Sequence, residues 1–89
     1  MSKYTATVLD RETLEAMLLE QGYVKQESLS YTDGNSWFNS DMFRYCGEQI
    51  EVVERDAYLY TYKYTSMTKG NDEEWHWHEK WLKDIKEVK

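Results

Sequence analysis

A chain of 89 residues with a single cysteine, Cys46, has no internal disulfide, so its fold must rest on one small core. A chain this short buries only about 60–65% of the surface its unfolded form exposes. The core must therefore be rich in contact area per residue, and the sequence supplies that area as eight Tyr, four Trp and two Phe. Each Tyr or Trp brings roughly 150–250 Å2 to bury. The expectation is a single domain over residues 1–89 with a thin, aromatic core.

Proline is absent, so Gly, Asn and Asp carry all the punctuation. Asp10 suits a helix N-cap, with Leu9 and Leu14 at hydrophobic-staple spacing. Leu14, Met17, Leu18 and Gln21 then trace one helical face, and Gly22 offers the left-handed stop. Tyr23–Ser28 reads as a short strand or extended return. The turn formers Asp33 and Gly34 predict a hairpin joining Glu27–Tyr31 to Trp37–Phe38. Asn39–Tyr45 reads as one helical turn, capped at Asn39 or Ser40 and ending at Gly47.

Gln49–Glu54 alternates as a strand with Ile50 and Val52 on one face, and Arg55–Ala57 follows as a turn. Tyr58–Thr65 is a second strand, with Tyr58, Tyr60, Tyr62 and Tyr64 on one side. Thr68–Glu73 is a loop, and Glu74–His78 sets Trp75 and Trp77 opposite His76 and His78. Trp81, Leu82 and Ile85 have helical spacing and predict a short terminal helix. The expected class is α+β: a small antiparallel, SH3-like curled sheet or barrel, with an N-terminal helix and a short C-terminal helix.

Little in the sequence points to chemistry. Cys46, His76, His78 and Glu79 could be imagined as a metal shell, but a lone Cys beside an HxH lacks the paired ligand spacing of structural zinc sites. Cys46 with either His as a nucleophilic pair is outweighed by the ordinary role of a free Cys as a small buried hydrophobe. The four glycines, Gly22, Gly34, Gly47 and Gly70, form no phosphate loop or nucleophile elbow. No catalytic residue, metal or cofactor is assigned, and the chain is read as a non-enzyme.

Charge is the stronger signal. The chain carries 17 acids against 11 bases, a net charge of −6. Such a balance disfavours direct binding to phosphate backbones and suits a basic partner. Asp10–Asp56 concentrates the imbalance, with eleven acids against four bases, whereas Glu79–Lys89 carries four lysines against three acids. The candidate partner-binding residues are Glu12, Glu15, Glu20, Glu48, Glu51, Glu54 and Asp56. Met1–Asp10 has no basic stretch leading into an apolar run, and no window has the roughly 20 apolar residues of a spanning helix, so a cytoplasmic location without membrane contact is expected. An open edge strand could pair two copies as a homodimer.

The order Phe38–Gly47 (with Met42, Tyr45, Cys46 and Gly47), then Ile50 and Val52, the strand around Tyr60–Tyr64, and Trp75-His76-Trp77 resembles small uncharacterised proteins of tailed phages that look like SH3-like barrels. The likeness covers roughly Trp37 to Trp81 and implies that Met42, Tyr45, Gly47, Ile50, Trp75 and Trp77 build the scaffold. The chain departs from it by the helix after Asp10 and the acidic loop at Asp72, Glu73 and Glu74. The resemblance implies a phage or mobile-element accessory protein acting in the host cytoplasm. The expected function is inhibition of a host or defence factor that handles nucleic acid, in the manner of an anti-CRISPR. The alternative is a small barrel that stacks single-stranded nucleic acid on Tyr58, Tyr60, Tyr62 and Trp77.

Overall fold

The computed structural model describes residues 3–54, 62–67 and 74–88. The first described element is a strand, ahead of the helix that the sequence predicts as the first element. In β1 (Lys3–Val8), Tyr4, Ala6 and Val8 face inward and Ala6 and Val8 are fully buried. The helix expected first therefore comes second: α1 (Arg11–Glu20) follows Asp10, whose side chain accepts the Thr13 N–H. Leu14 and Leu18 are buried, and Gly22 turns the chain out of the helix at φ 89°.

A three-stranded sheet comes next, built from β2 (Val24–Lys25), β3 (Tyr31–Thr32) and β4 (Trp37–Phe38). The β3–β4 hairpin forms across the Asp33–Asn35 turn, where Asp33 Oδ1 accepts the backbone N–H groups of Asn35 and Ser36. The strand starts at Tyr31, so Glu27–Ser30 lies outside the hairpin expected there. The 3-10 turn Ser40–Tyr45 is capped by Asn39, whose side chain accepts the Asp41 N–H.

The larger sheet adds β5 (Gln49–Glu54), β6 (Tyr64–Met67), β7 (Glu74–Trp77) and β8 (Leu82–Glu87), in the order β7-β6-β5-β1-β8. All its pairings are antiparallel. β1 sits between β5 and β8. The small antiparallel α+β sheet is present, but it is open: among the described residues β7 and β8 are its two outer strands and do not pair with each other. Of the expected strand over Tyr58–Thr65, Tyr64 and Thr65 open β6, and Tyr62 and Lys63 lie just before it. The stretch from Tyr58 to Thr61, the Arg55–Ala57 turn and the Thr68–Glu73 loop lie outside the described residues.

The expected C-terminal helix is a strand, preceded by a short 3-10 turn at Glu79–Trp81. Its helical spacing has a physical origin. Thr7 pairs with Lys83 and Thr5 with Lys86, so two residues of β8 oppose the single Ala6 of β1. The extra residue is a β-bulge, with Asp84 in the left-handed region at φ 52°. Because of it, Leu82 and Ile85, three apart, both turn toward the core. A period of two interrupted by one bulge imitates the spacing of a helix.

The core lies between α1, the inner faces of both sheets and the Ser40–Tyr45 turn. Phe38 is its centre, with ring centroids 4.7 Å from Phe43, 5.1 Å from Trp81 and 6.1 Å from Trp77. Trp77 and Trp81 are fully buried, and their indole N–H groups donate to Ser66 Oγ and Gln21 Oε1, each at 2.7 Å. Of the scaffold residues implied by the resemblance, Met42 and Trp77 are buried, and Tyr45, Ile50 and Trp75 pack against the core from partly exposed positions.

Among the described residues, two that are not glycine have positive φ, Asp84 and the half-exposed Leu29 at φ 70°. An L-residue held there costs about 1–2 kcal/mol, and Asp is among those that tolerate it better. Leu29→Gly is expected to raise stability by about 1 kcal/mol and Asp84→Val to lower it by about 1–2 kcal/mol, both read from urea unfolding midpoints.

Candidate functional site

Of the aromatic groups proposed for stacking, Tyr62 and Trp77 are not available. Trp77 is fully buried, and Tyr62 and Tyr64 are 8% and 5% exposed, so these rings are core packing; Tyr58 and Tyr60 lie outside the described residues. Tyr62 has a second task. Its hydroxyl accepts the Trp37 N–H at 2.6 Å and donates to the Trp37 carbonyl at 2.7 Å, occupying the outer edge of β4 much as a neighbouring strand would.

Cys46, His76 and His78 have separate roles. Cys46 is partly buried in the turn before β5, and burial pushes its thiol pKa up, away from the thiolate a nucleophile needs. His76 faces the outer side of the large sheet, with Nδ1 3.3 Å from Thr65 Oγ1. His78 Nδ1 accepts the Lys80 N–H and caps the Glu79–Trp81 turn. Among the described residues, no three His, Cys, Asp or Glu side chains gather as a metal site would require.

The acidic candidates are divided between two sides of the molecule. α1 packs on the inner face of the large sheet through Leu14 and Leu18. With those two residues inward, helical geometry turns Glu12, Ala16, Leu19 and Glu20 outward, and all four are exposed. Glu51 lies on the opposite, outer face of the sheet, where Lys3 pairs with it at 3.6 Å. Glu48 is exposed just before β5, and its carbonyl accepts the Val8 N–H close to the start of α1.

Two candidates are structural. Glu15 accepts Arg11 Nε and the Tyr31 hydroxyl, each at 2.9 Å, and so ties α1 to β3. The Arg11 guanidinium also stacks 4.5 Å from the centre of the Phe43 ring. Glu54 accepts the Tyr4 hydroxyl at 3.2 Å. Asp56 lies outside the described residues.

One feature had no signal in the sequence. A cavity of about 210 Å3 is lined by Trp37 and Asn39 on one side, Glu74, Trp75 and His76 on the other, with Met42 and Tyr62. Consecutive residues of a strand point to opposite faces, so a space touching all three of Glu74–His76 runs along the strand's edge. β6 pairs with the other edge of β7, and among the described residues no strand pairs along this one. Trp75 Nε1 is buried without a hydrogen-bond partner, at a cost of roughly 1–3 kcal/mol. Trp37, 51% exposed, stands in register with Thr32 and the exposed Val24 across the outer face of the three-stranded sheet.

Among the described residues no helix is long and apolar enough to cross a membrane. In comparisons with protein families, curated proteins and solved structures, the chain matches none.

The buried and bonded groups make stability pH-dependent. The Arg11 and Tyr31 hydrogen bonds hold the Glu15 pKa below the usual carboxylate range, and the Ser36 and Asn35 N–H groups do the same for Asp33. A depressed folded pKa gives stability above the unfolded value that is lost as pH falls through the folded one. Burial likewise lowers the His78 pKa, so its neutral form belongs to the fold and protonation opposes it. Urea midpoints should fall in two stages on acidification, first through the histidine range and then the carboxylate range. His78→Asn, which keeps a capping oxygen, should weaken the first stage, and Glu15→Gln should shrink the second.

Proposed function

We propose that this chain is a non-enzymatic binding module whose acidic helix face engages a basic, nucleic-acid-handling protein. The carrying observation is the outer face of α1, where the carboxylates of Glu12 and Glu20 flank Leu19, 61% exposed. Neither carboxylate has an ion-pair partner among the described residues. A lone exposed apolar side chain between unpaired like charges is poorly suited to packing within the chain and well suited to a partner whose surface offers an apolar recess rimmed by Lys or Arg. Glu48 is a further exposed carboxylate, its backbone bonded to Val8 shortly before the helix begins.

A surface of this sign can occupy a groove that otherwise takes phosphates, which is the logic of an inhibitor acting as a nucleic-acid mimic. The resemblance of Trp37–Trp81 to SH3-like proteins of tailed phages supports placing such an inhibitor in the cytoplasm of a host cell, directed at a defence or host factor. The burial of Tyr62 and Trp77 argues against the stacking alternative.

The test is affinity capture from host lysate at low and raised salt, with the captured proteins identified by mass spectrometry. Nucleic-acid-binding proteins should be retained at low salt and released as salt screens the contact. Glu12→Lys with Glu20→Lys should abolish their capture, while Glu51→Lys, on the opposite face, should leave it intact. Equal capture by all three chains, or none by the unmodified one, overturns the reading.

A further inference from the structure

The cavity of about 210 Å3 is below the roughly 300–1,000 Å3 of a drug-sized site and has room for a compact head group. Burial gives it a direction. Trp37, 51% exposed, stands at its mouth with the exposed Asn39 and Glu74, whereas the buried Met42 and Tyr62 form its floor. The partly buried Trp75 and His76 lie between, and the Tyr62 and His76 rings meet at 5.5 Å between centroids.

An indole left half in water beside a cavity is informative, because Trp is on average a highly buried residue. The Tyr62 hydroxyl bonds both the Trp37 N–H and the Trp37 carbonyl, so the exposed ring hangs from a fixed backbone. Little ordering of the chain is then left to oppose a ligand.

The polar groups of the lining are largely committed. Asn39 Oδ1 accepts the Asp41 N–H, the Tyr62 hydroxyl is used twice at Trp37, and His76 Nδ1 lies 3.3 Å from Thr65 Oγ1. Trp75 Nε1 is buried. A ligand that must be met by several hydrogen bonds is therefore poorly served here. Among the described residues the lining holds no Lys or Arg and one carboxylate, that of Glu74. Aromatic rings beside a single negative charge suit a cation with an apolar coat.

From these features we infer that the cavity takes a quaternary ammonium group, with its methyl groups against Trp37 and Tyr62 and its charge beside Glu74. A primary ammonium is strongly hydrated and brings three N–H donors, which this lining does not satisfy. A trimethylammonium group has no N–H to satisfy and spreads its charge over its methyl groups, which is what an aromatic wall attracts. The same group occurs on free choline-like molecules and on trimethylated lysine side chains of proteins. The site is separate from the outer face of α1 and rests on nothing argued for it.

The experiment is NMR titration of the full chain with choline, with its neutral carbon isostere, in which a tert-butyl group replaces trimethylammonium, and with a peptide carrying either lysine or trimethyllysine. Choline should bind saturably with a Kd on the order of 1 mM or below, shifting the Trp37 indole N–H and the Met42 methyl resonances. The isostere should bind about tenfold more weakly, because it has the shape without the charge. Trp37→Ala should weaken choline binding about tenfold and Trp37→Phe less, neither moving the thermal midpoint, since this ring is exposed. Glu74→Gln should weaken it severalfold and reduce its salt dependence. Tighter binding of the trimethyllysine peptide than of choline assigns the group to a protein partner, and the reverse order assigns it to a free small molecule. Glu12→Lys with Glu20→Lys should bind choline as before, so this site and the helix face can fail separately. The inference is overturned if neither choline nor the trimethyllysine peptide saturates, or if choline and its isostere bind equally. Equal binding of the lysine and trimethyllysine peptides, or choline binding undiminished by Trp37→Ala, overturns it as well.

Discussion

Everything in this structure depends on the burial of Trp81. Its ring meets Tyr23 at 5.8 Å, Phe38 at 5.1 Å and Tyr62 at 6.2 Å between centroids, so one side chain touches the return from α1, the small sheet and the segment leading into β6. Its indole N–H is held by Gln21 at the helix C-cap, and its carbonyl accepts the Leu9 N–H just before the helix begins. Loss of a fully buried Trp costs about 3–5 kcal/mol, a large share of the 5–15 kcal/mol that holds a domain folded. With no disulfide, that anchorage comes from packing and a few buried hydrogen bonds.

The polar tips of the aromatic core show how closely it is specified. Trp77 donates to Ser66, Tyr23 pairs with the buried Ser36, Tyr62 grips the Trp37 backbone and Tyr31 donates to Glu15. These bonds let Tyr and Trp serve as core residues without the penalty of a buried, unsatisfied dipole. Trp75 breaks the pattern: its indole N–H is buried without a hydrogen-bond partner.

Much of the fold was legible because its signals are local. The Asp10 cap, the Leu14–Leu18 face, the Gly22 stop, the Asn39-capped turn and the Ile50–Val52 strand face each depend on neighbouring residues and are present where the sequence places them. β1 was hidden, since Lys-Tyr-Thr-Ala-Thr-Val carries a small Ala at an inward position and a strand's worth of threonines outside, with no turn signal before it. The bulge at Asp84 gives the apolar residues of β8 the spacing of a helix. For the candidate site, charge is read from composition, but its division between the helix face and the far side of the sheet comes only from tertiary packing. The roles of Glu15 and Glu54 were invisible for the same reason: their partners, Tyr31 and Tyr4, are distant in sequence.

The position of β1 bears on how the molecule comes to be made. It is the central strand of the large sheet, yet both neighbours, Gln49–Glu54 and Leu82–Glu87, are synthesised long after it. While the ribosome is still translating, this segment has backbone groups on both sides waiting for partners, and the second side is filled only when β8 emerges. Contacts so remote along the chain slow folding and lengthen exposure of the unpaired strand.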